Sequence, residues 1–342
     1  MRFFPPVTES LFHIDNASAR QAWFENVVEQ SRDFLASEGD LITWMFAFQD
    51  LRKTLLQESW QHLMPASMRE SLTYIRFGST AREEDLLVSD LDFAIVSSGN
   101  YPVQTAKTKL SDFIKFMASF GFPPCKGFVM GTNPRWFGTV DAWKKRIAYY
   151  AHYPTWENAR YLFIMMDGNP LYQQADTLWH SISTSAREAI RSSSFICWEM
   201  AHLGIHKTVV LDSLAHVKTD RIDSQMIFRM KDGLLNPILH SLRLLCVSRG
   251  SDALRTSDRL DFLVNAKIID ETWRQQIWSA IQYGWRLRLL AQLKQISNHL
   301  PLSEDVYDVT GWRDSDWQLA TTHLQTAKAL ERYIHKGFPK PR

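Results

Sequence analysis

Cysteine is scarce: three residues in 342, at positions 125, 197 and 246, with no CxxC spacing among them. That count excludes a disulfide framework and a cysteine-built metal site, and it fits a reducing cytoplasm. Long apolar runs are lacking too. No window approaches the ~18 uninterrupted apolar residues of a membrane span, and in "MRFFPPVTES" Pro5-Pro6 interrupts the start before any run of signal-peptide length. The net charge is only +2, which argues neither for nor against a nucleic-acid partner, so any basic patch would be local. The chain has no internal repeat, no low-complexity tract and no GxxxxGK[ST] string, which excludes a P-loop. These absences lead us to expect a cytoplasmic protein of about two domains, at roughly 150 residues each, with no membrane and no DNA partner.

What is present is helical periodicity around a short β-rich centre. "ASARQAWFENVVEQSRDFLASEG" and "LITWMFAFQDLRKTLLQESWQHLM" carry apolar residues at three- and four-residue spacing, and Pro65 closes the pair. "LTYIRF" (72–77) and "LDFAIV" (91–96) are short, rich in β-branched and aromatic residues and bounded by Gly or Ser, so both read as strands. The intervening "TAREEDLLVS" holds a short helix or a loop. Residues 103–120 form an amphipathic helix stopped at Gly121, and "KGFVM" (126–130) is a third strand candidate. Periodicity cannot decide whether "RYLFIMM" (160–166) is strand or helix. From about residue 176 the chain reads as helical to its end, with "GFPKPR" as a frayed tail.

The chemistry concentrates in "YIRFGSTAREEDLLVSDLDFAIV". Alternation along a strand would point Asp90 and Asp92 the same way, with Leu91, Phe93 and Ile95 on the opposite, buried side. Two adjacent carboxylates repel and cannot both stay ionised in a dry site without a compensating charge. A magnesium ion supplies that charge, because it takes oxygen ligands and binds through one or two carboxylates plus substrate phosphates. Gly78-Ser79 after the first strand suits a phosphate-cradling turn, since glycine lets backbone N–H groups approach and serine adds a donor. Either element alone is a common, usually structural, feature; strand, Gly-Ser, about ten residues and then DxD is far more specific.

That conjunction resembles the polymerase-β-type nucleotidyltransferase superfamily. The fuller string is similar to a branch of bacterial nucleotidyltransferases related to the uridylyltransferase of the PII signalling protein. The branch pattern falls on Gly78, Ser79, Arg82, Glu84, Asp90 and Asp92, with Ala81 where glycine is usual. Downstream, "PCKGFVMGTNPRWFGTVDAW" (124–143) resembles the branch's Cys-x-Gly-x-Val-Met, Asn-Pro, Trp segment. "MMDGNPLY" (165–172) resembles an Asp-x-Arg-Pro element with Asn169 in place of arginine. "KDGLLNPILHSLRLL", "TSDRLDFL" and "RLRLLAQL" resemble the family's substrate-binding domain, so the likeness covers roughly residues 40 to 335. Members of the branch often follow CBS or cyclic-nucleotide-binding domains; none precedes the core here, so a stand-alone version is expected.

The resemblance implies an α+β fold: a small mixed β-sheet nucleotidyltransferase core flanked by an N-terminal helical segment and a C-terminal helical domain. The expected divisions are 1–70, a core at 71–175, a helical substrate-binding domain at 176–336 and a tail at 337–342. It implies Mg²⁺ or Mn²⁺ held by Asp90 and Asp92, an NTP (ATP among them) as substrate, and the β- and γ-phosphates on Gly78 and Ser79. Arg82 either meets phosphate or locks the loop through Glu84. The third carboxylate, the general base, is assigned to Asp167, with Asp141 behind it. Lys231, Arg243 and Arg259 either face the triphosphate or pair with Asp232 or Asp258 on solvated faces. Through the PII-modifying relatives the acceptor is expected to be a protein side chain in signal transduction, with an RNA end or small metabolite as alternatives.

Two rival classes stand beside this enzyme: a catalytically degenerate nucleotide-binding regulatory module, and a helical interaction protein with a vestigial core. His202 and His206 share a helix face, but Glu199 lies outside the pair, unlike HExxH, so ordinary helix histidines are the better reading. The thirteen tryptophans read as core packing rather than platforms for bases.

Overall fold

The computed structural model describes residues 4–13, 16–37, 39–99, 101–172, 176–202, 209–222, 224–299 and 306–341. The chain divides into two compact units, residues 1–148 with 164–185, and residues 149–163 with 186–342.

The first unit begins with helices α1 (Ala17–Ala36), α2 (Leu41–Leu63) and α3 (Ala66–Ser71). Asp40 caps α2 by accepting from the Thr43 N–H and Thr43 Oγ1, each at 2.9 Å, and Pro65 lies between α2 and α3 because it cannot continue a helix. One stripe of α2, from Trp44 and Phe48 through Arg52 and Leu55 to Trp60, is buried. Then come β1 (Leu72–Arg76), the single turn α4 (Gly78–Arg82), β2 (Phe93–Ser97) and α5 (Val103–Ala118). Along the chain these are followed by β3 (Phe137–Thr139), α6 (Val140–His152), α7 (Trp156–Met165), β4 (Asn169–Pro170) and α8 (Asp176–Arg191), of which most of α7 and the last turns of α6 and α8 belong to the second unit.

The sheet is small and mixed, in the order β3-β2-β1-β4, as the α+β expectation requires. β1 pairs antiparallel with β2, matching Tyr74 with Ile95 and Arg76 with Phe93; β3 runs parallel to β2. Tyr74 stacks on Phe93 at 4.8 Å, and Trp60 of α2 meets Tyr74 at 5.2 Å and Phe113 of α5 at 5.6 Å. Phe77, out of phase with Tyr74, turns to a second aromatic layer containing Trp136, Trp143 and Trp179. These rings are buried, and none of the tryptophans in this layer is a stacking platform. Gly168 permits this packing, because a Cβ there would run into the Trp179 ring whose Nε1 donates to the Gly168 carbonyl at 2.7 Å.

Several expectations change here. "KGFVM" is not a strand: Phe128 takes φ 56° and the chain turns, while the third strand forms later as β3. The acidic pair is not inside β2, which begins at Phe93, one residue after Asp92. "RYLFIMM" is settled as the end of helix α7.

The second unit is built around α10 (Asn236–Ser248), buried on nearly every side and packed against α9 (Ser194–His202), α11 (Thr256–Asn265) and α13 (Asp314–Gly337), with α12 (Glu271–Ser297) beside α13. It is not helical throughout. β5 (Asp220–Ile222), β6 (Gln225–Phe228) and β7 (Tyr307–Asp308) form an antiparallel sheet, so "QMIF" is a strand rather than the start of a helix. Lys231–Leu235 form a π-helical turn that leads into α10. The final helix runs to Gly337, so the tail starts at Phe338. No helix among the described residues is long and apolar enough to cross a membrane.

The Thr43 N–H holds the Asp40 carboxyl below its ordinary range, which burial only partly offsets. Asp40→Ala is therefore expected to destabilise the protein by about 1 kcal/mol at neutral pH. A depressed pKa stabilises above the unfolded value, so the wild-type advantage should fade as pH falls through the folded value. Urea unfolding of both proteins at neutral pH and at pH 3 measures it.

Candidate active site

β1 runs directly into the site. After Arg76 the Phe77 N–H donates to the Asp92 carbonyl at 2.9 Å, which extends the β1–β2 pairing by one bond beyond both strands. Gly78 then takes φ 60°, a left-handed conformation that glycine adopts without penalty. The same step brings its Cα against the acidic segment, so that a Cβ at Gly78 would collide with Asp92 Oδ2. The Gly-Ser turn and the second aspartate are thus in direct contact.

Asp90 and Asp92 are both half-buried, with buried Leu91 between them. Leu91 is held by its N–H to the Pro123 carbonyl at 2.9 Å, and Asp92 donates its N–H to the Asp90 carbonyl at 3.1 Å. The segment runs half-buried, buried, half-buried, and it is held by a tight bend and long-range backbone bonds rather than by a regular strand. The Phe93 N–H donates to the Val129 carbonyl at 2.9 Å, which ties in the "PCKGFVM" segment. From that segment the buried Cys125 thiol hydrogen-bonds Asp92. Its burial, with the charges of Asp92 and Asp90, pushes the thiol well above its usual pKa. Burial and the two neighbouring acids thus disfavour the Cys125 thiolate.

Arg82 is paired with two carboxylates of the same unit. Its Nε meets Glu84 Oε2 at 2.8 Å and its Nη1 lies 3.5 Å from Asp167 Oδ2. Burial opposes the charge, but Glu84, Asp167 and Asp92 together raise the guanidinium pKa. Asp167 is buried within the same unit, whereas Asp141 is exposed in the first turn of α6. Among the described residues no three His, Cys, Asp or Glu side chains form a group that could hold a metal ion. Two oxygen-bearing side chains are what Asp90 and Asp92 offer, and a hard cation commonly completes such a set with phosphate oxygens.

Asn169 stands across from Arg76 in the β1–β4 register. With its amide turned to satisfy its neighbours, Asn169 Oδ1 accepts from Arg76 Nη2 at 3.0 Å. A guanidinium thus reaches position 169 from the neighbouring strand.

Lys231, Arg243 and Arg259 all belong to the second unit. Lys231 opens the π-helical turn and is half-buried. Arg243 is buried over the Phe163 ring, 3.7 Å from its centre, and Arg259 is buried with Nε donating to the Ala253 carbonyl at 3.0 Å. Neither arginine lies on the solvated face that a surface pair with Asp232 or Asp258 would need. His202 bonds the Trp198 carbonyl and stacks on His335; His206 lies outside the described residues.

Sequence reasoning missed Cys125 as a neighbour of the acids, and it missed Asp85, whose Oδ1 accepts from Ser79 Oγ at 2.8 Å. Cys125 lies in the "PCKGFVM" stretch and was legible only through the family resemblance. Asp85 carried no signal, because one acid in "REED" reads as solvated loop.

The architecture is that of a small mixed-sheet domain whose first strand ends in a Gly-Ser turn pressed against a paired-acid segment. A family model described as "Putative nucleotidyltransferase DUF294" matches residues 17–157, and "Putative nucleotidyltransferase substrate binding domain" matches residues 196–331. The chain belongs to this nucleotidyltransferase family. No curated protein matches it.

Gly78→Ala is expected to abolish function at this site and to destabilise the fold by about 1–3 kcal/mol, from left-handed strain and the Asp92 collision. Thermal unfolding of the variant, with ligand binding measured on its folded fraction, checks both parts.

Proposed function

We propose that the first unit moves a nucleoside monophosphate from an NTP to a hydroxyl acceptor and releases pyrophosphate. The acceptor oxygen would attack the α-phosphorus, the bond to the β-phosphate oxygen would break, and the acceptor proton would pass to a base. The observation that carries this reading is the contact between Gly78 and the Asp92 carboxylate, which brings a phosphate-type turn and an acidic pair to one point. Asp90 and Asp92 would hold Mg²⁺ or Mn²⁺. When bound, that cation supplies positive charge to the triphosphate and lowers the pKa of the acceptor hydroxyl. The chain's own part is positioning: backbone N–H groups of the turn receive phosphate oxygens, Cys125 orients Asp92, and Arg82 with Glu84 fixes the intervening loop. A protein side chain is the favoured acceptor, with an RNA end or small metabolite as alternatives.

A second reading, nucleotide binding without turnover, is favoured by one observation. Asp167, the carboxylate assigned as base, is engaged by Arg82.

Titration of ATP, GTP, CTP and UTP with and without Mg²⁺ identifies the nucleotide. Incubation with that labelled NTP and a cell lysate then reads turnover. Asp90→Asn and Asp92→Asn are each expected to reduce labelling by about 100-fold or more, as for loss of a group that stabilises transition-state charge, with the fold retained by circular dichroism. Labelling that survives both substitutions places the chemistry elsewhere; tight binding without any labelled acceptor selects the second reading.

A further inference from the structure

Asp85 follows Glu84 in the segment between the turn and the acidic pair, and it is fully buried. A buried carboxylate is costly unless it is hydrogen-bonded and its charge is compensated. Here one oxygen, Oδ1, accepts from Ser79 Oγ at 2.8 Å and from Thr80 Oγ1 at 3.2 Å. The backbone at Asp85 is fixed as well, its carbonyl accepting from Gln49 Nε2 of α2 at 2.8 Å.

The same helix supplies the compensating charge. Arg52, three residues beyond Gln49, is buried with Nη1 directed at the carbonyls of Leu87, Phe120 and Gly121, at 3.5, 3.3 and 3.4 Å. Its guanidinium covers the Phe122 ring. Burial lowers its pKa to about 9, and the charge of Asp85 acts in the opposite direction. One buried anion and one buried cation therefore underlie the segment that joins the turn to the acidic pair.

Two hydroxyls that donate to one carboxylate have their hydrogens committed to it. Ser79 then offers other neighbours its lone pairs rather than a hydrogen, and the donors left in the turn for a phosphate are backbone N–H groups. We propose that Asp85 is a positioning residue for the nucleotide: its carboxylate fixes the Ser79 and Thr80 hydroxyls and presets the turn before a triphosphate arrives. A preset turn gives up less conformational freedom on binding, which appears as affinity. This inference rests on the reading of the site as one for nucleoside triphosphates.

The test is a double-mutant cycle on nucleotide affinity using Ser79→Ala, Asp85→Asn and the double variant, with the Mg²⁺ complex of whichever NTP the wild type binds best. Asparagine keeps the volume of the side chain; because Arg52 loses its counter-charge, Thr80→Val provides a second route that leaves Asp85 intact. Each single variant at 79 or 85 is expected to weaken binding about tenfold, and the double variant no more than the weaker-binding single, because both act through one interaction. Thr80→Val is expected to weaken binding measurably without loss of the fold. Losses that multiply in the double variant, or unchanged affinity in Asp85→Asn, would overturn the inference while leaving the nucleotide site in place. A wild type that binds none of the four nucleotides would overturn the reading of the site and this inference with it.

Discussion

The 2.9 Å hydrogen bond from the Phe77 N–H to the Asp92 carbonyl sets the geometry of everything around it. It continues the β1–β2 ladder past the formal ends of both strands, so the turn after one strand and the acids before the other leave the sheet side by side. The contact of Gly78 with Asp92 follows directly, and with it the requirement for a residue that has no Cβ and tolerates φ 60°. The antiparallel pairing of β1 with β2 fixes the register in turn, and the Tyr74–Phe93 stack lies along that pairing. A slip of one residue would send both aromatic layers to the wrong faces.

Around that bond the unit holds several charged side chains largely away from solvent, and two sets of them border the loop. Arg82, Glu84 and Asp167 form one, and Arg52 with Asp85 forms the other. Buried ionic groups are weak evidence for stability, because desolvation offsets most of the attraction. Their placement is more informative: each set pins one side of the loop between the turn and the acids. The loop itself contains no regular structure after Arg82, and Ser89 Oγ, which accepts from the Leu86 N–H at 3.1 Å, closes it internally.

The local parts of this site were legible in the chain. A glycine after a β-branched and aromatic run, and two acids separated by a leucine, act through near-neighbour geometry that spacing records. What depends on distant residues was not. "FGT" is too short to announce itself as a strand and becomes β3 only through its pairing with β2. "KGFVM" has strand composition, but the left-handed Phe128 and the Phe93–Val129 bond make it a turn against β2. "QMIF" continues an apolar pattern that a helix would also satisfy, and pairing with β5 and β7 decides for a strand. Asp85 and Arg52 were invisible for the same reason: thirty-three positions separate two residues whose charges only the fold brings together.

Gln49 and Arg52 also bear on where the functional domain starts. Both belong to α2, upstream of every motif residue, yet they hold the backbone at Asp85 and Leu87. A truncated version starting at residue 71 would retain the whole signature and lose the scaffold that shapes it. The smallest autonomous piece capable of carrying this site must therefore reach back through the second helix, and the opening helices are foundation rather than ornament.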